Sequence, residues 1–258
     1  MLLTIDLGNT NTVLGVFEGT ELRAHWRLAT RREQTADEYG ILVRNLFASS
    51  GLAPAGIEGV ALASVVPPLT PVLVALSKQY LNLEPLVVEP GVRTGMPILY
   101  EPPGDVGADR IVNGVAAFAA YGGPVIVVDF GTATTLDVVT RKGEYLGGVI
   151  CPGVGISADA LFQRAARLPR VDVRHPGKVI GRSTVGSIQS GMYFGYAAMV
   201  EGLIVRLRAE LGEPARVVAT GGLAETLAGE IPSIEAVDPV LTLTGLRLIW
   251  ERNRPSAR

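Results

Sequence analysis

A chain of 258 residues is one large domain or two small ones, long enough to bury a substantial core. It is 48% hydrophobic and 19% charged, which excludes a disordered polymer. With 23 basic and 25 acidic residues the net charge is −2, so nucleic acid and anionic membranes find no bulk electrostatic attraction. Hydrophobic periodicity and turn residues predict strands over 2–7, 12–18 and 22–29, joined by short polar turns that suit antiparallel hairpins. A helix over 35–49, a strand over 59–65, a helix over 69–80 and a strand over 86–88 complete the first half. The second half reads as strands over 124–129, 134–140 and 144–151, a helix over 155–167 and a long helix over about 183–211. A strand over 216–219, a helix over 222–229, a strand over 234–237 and a helix over 241–251 come after these. The long segment carries Gly186, Gly191, Gly195 and Gly202, so it reads as one helix or as two. Such glycines weaken a helix, and close packing at a subunit interface is one reason to keep them.

Cys151 is the single cysteine, which excludes an internal disulfide and suits a reducing compartment. With only His25 and His175 beside it, there is no ligand set for a structural zinc. The longest apolar stretch, Ile111 to Val128, is interrupted by Asn113, three glycines and Pro124, short of a membrane span. Asp6 falls too early for a secretory leader, and a cytoplasmic location is expected.

Two stretches repeat. "DLGNTNTVLGVFEG" (Asp6–Gly19) and "DFGTATTLDVVT" (Asp129–Thr140) align Asp6 with Asp129, Gly8 with Gly131, Thr12 with Thr135 and Val16 with Val139, at an offset of 123 residues. Each comes after an apolar strand and precedes another. The expected fold is therefore α/β with two duplicated lobes, 1–115 and 116–258. Each lobe would hold a mixed five-stranded sheet flanked by helices, with a cleft between lobes. An aspartate at a strand end, then glycine and hydroxyl residues, suits a nucleotide phosphate. Glycine lets backbone approach, amides and hydroxyls donate to phosphate oxygens, and the carboxylate holds a cation. Two hairpins with ordinary polar turns are the plain alternative. No G-x-x-x-x-G-K-[ST] is present, and neither loop carries Lys or Arg, so the phosphate charge calls for a cation. "GVGISA" (Gly153–Ala158) matches G-x-G-x-x-A, with Asp172 nineteen residues on, which keeps a dinucleotide enzyme as the second reading.

Between the copies stands "YEPPGDVGADRIVNG" (Tyr100–Gly114). The ordered set of Asp6–Thr12, Tyr100, Gly107–Arg110, Asp129–Thr135, Gly147–Gly153 and Thr220–Gly222 resembles the type III pantothenate kinases along essentially the whole chain. These form a branch of the superfamily of actin, hexokinases and acetate kinase, so the resemblance implies ribonuclease H-like lobes. It implies ATP-dependent phosphorylation of pantothenate to 4'-phosphopantothenate, the first step towards coenzyme A, in a homodimer. It assigns ATP phosphates to Asp6, Gly8, Asn9, Thr10, Asn11, Thr12, Val13 and Thr132, and the adenosine side to Gly221. Pantothenate falls to Tyr100, Gly107, Ala108, Asp109, Arg110 and Thr184, with Asp109 as proton acceptor. Asp129 becomes the ligand of a monovalent cation, K+ or NH4+, and Asp6 that of Mg2+, directly or through water. Under this resemblance the Gly153 turn is the family's own Pro-Gly turn. The chemistry of the residues agrees, because a carboxylate beside a guanidinium pairs a proton acceptor with a carboxylate binder. Asp105 is a competing base, and an ordinary acid at a helix start is the bland reading of Asp109. A non-catalytic nucleotide-binding regulator, or a kinase of another small hydroxy compound, remains the alternative function.

Overall fold

The computed structural model describes residues 1–165 and 167–254. Its elements form where apolar residues recur. β1 (Leu2–Leu7) is buried along most of its length and pairs antiparallel with β2 (Asn11–Glu18). β2 pairs antiparallel with β3 (Glu21–Ala29), whose alternation of exposed and half-buried residues marks it as an edge strand. β4 (Gly59–Ser64) and β5 (Leu86–Val87) add in parallel on the other side, giving the order β3-β2-β1-β4-β5. The second half repeats the plan: β6 (Val125–Phe130), β7 (Ala133–Val139) and β8 (Tyr145–Pro152) form the meander, and β9 (Arg216–Thr220) and β10 (Ala236–Val237) add in parallel. Its order, β10-β9-β6-β7-β8, places the same strands in the same roles. Two mixed five-stranded sheets flanked by helices are thus present, as expected.

Helices supply the crossovers that parallel strands require. α1 (Ala36–Ser49) starts at Thr35, whose side chain accepts from the Glu38 amide while the Glu38 carboxylate accepts from the Thr35 amide. That reciprocal cap contributes about 1 kcal/mol to the helix start. α2 (Thr70–Leu81) ends on Asn82 in the left-handed conformation. α3 (Ala108–Tyr121), absent from the predicted elements, buries Val112, Val115 and Ala116. α4 (Val154–Arg164) is shorter than expected at its C-terminal end, and Ala166 lies outside the described residues. α5 (Thr184–Leu211) runs unbroken through its four glycines. A buried stripe of Ile188, Tyr193, Ala197, Val200 and Ile204 on the second sheet outweighs their propensity cost of about 1 kcal/mol each. Ser183 caps its start and Gly212, left-handed, ends it. α6 (Ala224–Leu227) is a single turn extended by a 3-10 turn.

The chain divides into two compact units, Met1–Ala116 with the chain from Leu241 onward, and Ala117–Val240. The expected span 116–258 for the second lobe therefore differs at its C-terminal end. α7 (Leu241–Asn253) buries Leu241, Leu243, Leu246 and Ile249 and packs on β1 and β4 of the first unit. Thr242 Oγ1 donates to Asn113 Oδ1 at 2.7 Å, and the backbone of Gly245 lies against Val112. A helix joins the sheet whose surface its apolar stripe fits, and chain order has no vote in that choice. Among the described residues no helix is long and apolar enough to cross a membrane.

Candidate active site

The first loop is built by the β1–β2 register. Asp6 pairs with Val13 and Leu7 with Thr12, so Gly8, Asn9 and Thr10 form the turn. The Gly8 amide donates to the Asn11 carbonyl at 3.0 Å, and a Cβ on Gly8 would stand 3.0 Å from that same oxygen. Asn9 and Thr10 are exposed, while Asp6, Asn11 and Val13 are partly so. Thr12 is fully buried, its hydroxyl 2.9 Å from Thr30 Oγ1 and 3.3 Å from the Tyr39 hydroxyl. Its side chain therefore braces the loop from inside. Thr30 Oγ1 also donates to the Gly8 carbonyl at 2.8 Å, and the Thr30 amide donates to the Thr10 carbonyl at 2.9 Å. Thr30 and Tyr39 were missing from the sequence candidates. Counting outward along the meander, which puts residue 30 opposite residue 10, is the signal that finds Thr30.

The second loop is one residue shorter. Asp129 pairs with Thr135 and Phe130 with Thr134, leaving Gly131 and Thr132 in the turn. The constant offset of 123 fails at this point. After the turn the counterparts lie 122 apart, so Thr12 corresponds to the buried Thr134, Val16 to Val138, and Thr10 to Thr132. The matches of Thr12 with Thr135 and Val16 with Val139 are corrected accordingly. Register, which sets the face a side chain occupies, overrides a gapless alignment.

Asp129 sits at the meeting point of several backbones. A Cβ on Gly131 would stand 3.3 Å from Asp129 Oδ1, and one on Gly221 would collide with that oxygen. Gly221 has φ +94°, a conformation that glycine adopts freely, and it succeeds Thr220, the parallel partner of Asp129. A Cβ on Gly153 would collide with the Thr132 carbonyl oxygen and lie 2.7 Å from the Gly131 carbonyl. The structure thus gathers Asp129, Thr132, Gly153 and Gly221. It also disposes of the dinucleotide reading, because β8 is an antiparallel edge strand and not the first strand of a parallel βαβ unit. Gly155, the second glycine of that match, faces open space.

The third group lies in the first unit. Asp109 occupies the first turn of α3, its Oδ1 accepting from the Arg110 amide at 2.8 Å. A Cβ on Gly107 would stand 2.6 Å from Asp109 Oδ1, so glycine there leaves the carboxylate its place, with Val65 Cγ1 3.6 Å away. Arg110 is buried (7% exposed), and Tyr100 is half-buried on the loop that precedes α3. A cavity of about 670 Å3 adjoins this block, walled by Val65, Val88, Met96, Val106, Gly107 and Ile111. Asp105, the competing base, also lines it and is exposed. Thr184 is the exposed first residue of α5, in the second unit.

A profile of the type III pantothenate kinase family matches residues 2–206. A type III pantothenate kinase from Koribacter versatilis is 57% identical over 268 residues, covering 100% of this chain and 98% of its own. One from Moorella thermoacetica is 58% identical over 253 residues, covering 98% and 100%. Among solved structures, the activator of 2-hydroxyisocaproyl-CoA dehydratase from Clostridium difficile, with bound ADPNP, is similar at TM-score 0.57 and 14% identity, covering 97% of this chain and 94% of that one. The ROK hexokinase from Thermus thermophilus is similar at TM-score 0.52 and 15% identity, covering 98% and 99%. At those identities the structural likeness bears on the fold alone.

Proposed function

The chain belongs to the type III pantothenate kinases, and from that premise we propose how its residues divide the work of phosphorylating pantothenate with ATP, the first step of coenzyme A biosynthesis. The observation that carries the division is the setting of Asp109: a carboxylate at the first turn of α3, given room by Gly107 and flanked by the buried Arg110. Asp109 accepts the proton of the primary hydroxyl as that oxygen attacks the terminal phosphorus of ATP and the bond to the leaving ADP breaks. The helix N-terminus favours the negative carboxylate that this role requires. Arg110 pairs with the pantothenate carboxylate, and Tyr100, Gly107, Ala108 and Thr184 complete the substrate contacts.

The amides of Gly8–Val13, the exposed side chains of Asn9 and Thr10, and Thr132 hold the ATP phosphates, while the buried Thr12 hydroxyl braces the loop, and Gly221 lets the nucleoside lie against backbone. Hard cations take oxygen ligands, and both loops end a strand on a carboxylate with no Lys or Arg in the turn. Asp6 would hold Mg2+, directly or through water, and Asp129 would hold K+ or NH4+. When bound, these cations neutralise phosphate charge. The protein works in the cytoplasm as a homodimer. Exposed Leu146 and Ile150 on β8, and Ile156 and Phe162 on α4, support an apolar interface in the second unit.

The test measures ADP release from ATP, Mg2+ and pantothenate, with and without K+. Pantothenate-dependent turnover that rises with K+ is expected, and Asp109→Asn should lower kcat by about 100- to 10,000-fold while the protein stays folded. Absence of turnover under both conditions rejects the kinase, and an unimpaired Asp109→Asn rejects the base.

A further inference from the structure

The segment between β5 and α3 carries both Tyr100 and Gly107, yet its only helical turn is the 3-10 turn Pro103–Asp105, and its extended pairing is a lone bridge at Ile98. A stretch of that length needs anchors to hold one conformation. Val88, Met96 and Val106 supply apolar ones, each buried. Another comes from the far end of the chain. Asn253, the last residue of α7, grips Arg93 from both sides: its Oδ1 accepts from the Arg93 amide at 3.2 Å, and its Nδ2 donates to the Arg93 carbonyl at 2.9 Å. The neighbouring Arg252 donates through Nη1 to the Thr94 carbonyl. Its guanidinium lies across Gly95, where a Cβ would meet Nη1 at 2.8 Å and Cζ at 2.9 Å. Gly95 has φ +73°, a conformation that favours glycine, and a side chain added there would push the Arg252 guanidinium aside.

We propose that Arg252 and Asn253 are positioning residues for pantothenate: they clamp residues 93–95 to α7 and thereby set the loop that presents Tyr100 and leads into Gly107 and Asp109. The side chains sit on a rigid base. α7 is seated on β1 and β4, with the Trp250 ring against Gly59. Neither clamp residue touches the cavity beside Gly107, whereas Val92, Thr94 and Met96, in and around the gripped segment, line its wall. The clamp acts on substrate geometry through the loop, and it rests on the reading that Tyr100 and Gly107–Arg110 bind pantothenate.

The experiment uses the full-length enzyme and the double variant Arg252→Ala/Asn253→Ala, with Gly95→Ala as an independent way to dislodge the same clamp. The KM for pantothenate should rise about tenfold in both, since small misplacements of binding groups carry penalties of that order. The KM for ATP should stay within about twofold, and hydrogen exchange should accelerate across residues 93–107. Arg252→Lys should recover part of the lost pantothenate affinity. A merely structural clamp would lower the melting temperature and leave the pantothenate KM in place, which overturns the proposal. Exchange across 93–107 unchanged in the double variant overturns it as well. Tyr100→Ala separates the premise: an unchanged pantothenate KM there rejects the substrate assignment and the clamp's role with it. A raised KM in Tyr100→Ala beside a normal one in the double variant rejects the clamp alone.

Discussion

The two strand–loop–strand units differ at the residue just past their third strands. In the first, Ala29 pairs with Asn11, so Thr30 stands opposite Thr10 and ties the loop with hydroxyl bonds to Gly8 and Thr12. In the second, Pro152 pairs with Ala133, so Gly153 stands opposite Thr132, and its bare Cα presses on the loop's own carbonyls. Identical topology is thus stiffened in opposite ways, by a polar brace in one unit and by backbone contact in the other. The chain beyond each third strand explains the difference. After Thr30 it runs through exposed residues to α1, and a tether is needed there. After Pro152 it enters α4 at once, with Gly153 as the N-cap, so the helix start itself abuts the loop. A second contrast lies farther along the partner strands. Gly15, opposite Thr4, leaves room that Leu243 of α7 fills. The corresponding residue in the second sheet is Asp137, fully buried, receiving bonds from Tyr145 Oη at 2.6 Å and Thr135 Oγ1 at 2.9 Å.

Three substitutions test that contrast, in descending order of effect. Gly153→Ala forces backbone against backbone and should cost about 3 kcal/mol, read from urea unfolding, with a raised KM for ATP. If it costs no more than Gly8→Ala, where a single carbonyl must yield, the backbone-contact account of the second loop is wrong. Asp137→Asn puts an amide donor where a carboxylate oxygen accepts a hydroxyl in a buried site, and should cost about 2 kcal/mol by the same measurement. Tyr145→Phe in the Asp137→Asn background should then add little, because the partner is already compromised. Thr30→Val removes the brace of the first loop at a cost of about 1 kcal/mol. The accompanying rise of a few-fold in ATP KM should be absent in a Thr35→Ala control, which loosens only the α1 cap. Equal ATP effects in both would mean that Thr30 acts on general stability.

Much of this was legible along the chain. The buried strands, the two aspartates at strand ends and the carboxylate of Asp109 beside the guanidinium of Arg110 are local patterns. α3 was not among the expected elements, though Asp109 was weighed as an acid at a helix start, because it comes after a proline-rich loop and carries the weak helix formers Asn113 and Gly114 near its start. Thr30 escaped because its partners lie 18 and 22 residues away and meet it only through antiparallel register. Gly153 stood out in the sequence both for a dinucleotide motif and, under the resemblance, as a Pro-Gly turn, and only the pairing of β8 with β7 reveals what its missing side chain accommodates.

By itself the sequence determined the strand–loop–strand units and their repetition, because these depend on patterning within short windows, and its ordered motifs carried the resemblance to the family. Tertiary structure alone decided the one-residue slip between the two loops, the return of α7 to the first sheet and its grip on Arg93. Each of those is a choice among distant surfaces, settled by which faces fit and which backbone groups would otherwise lack partners.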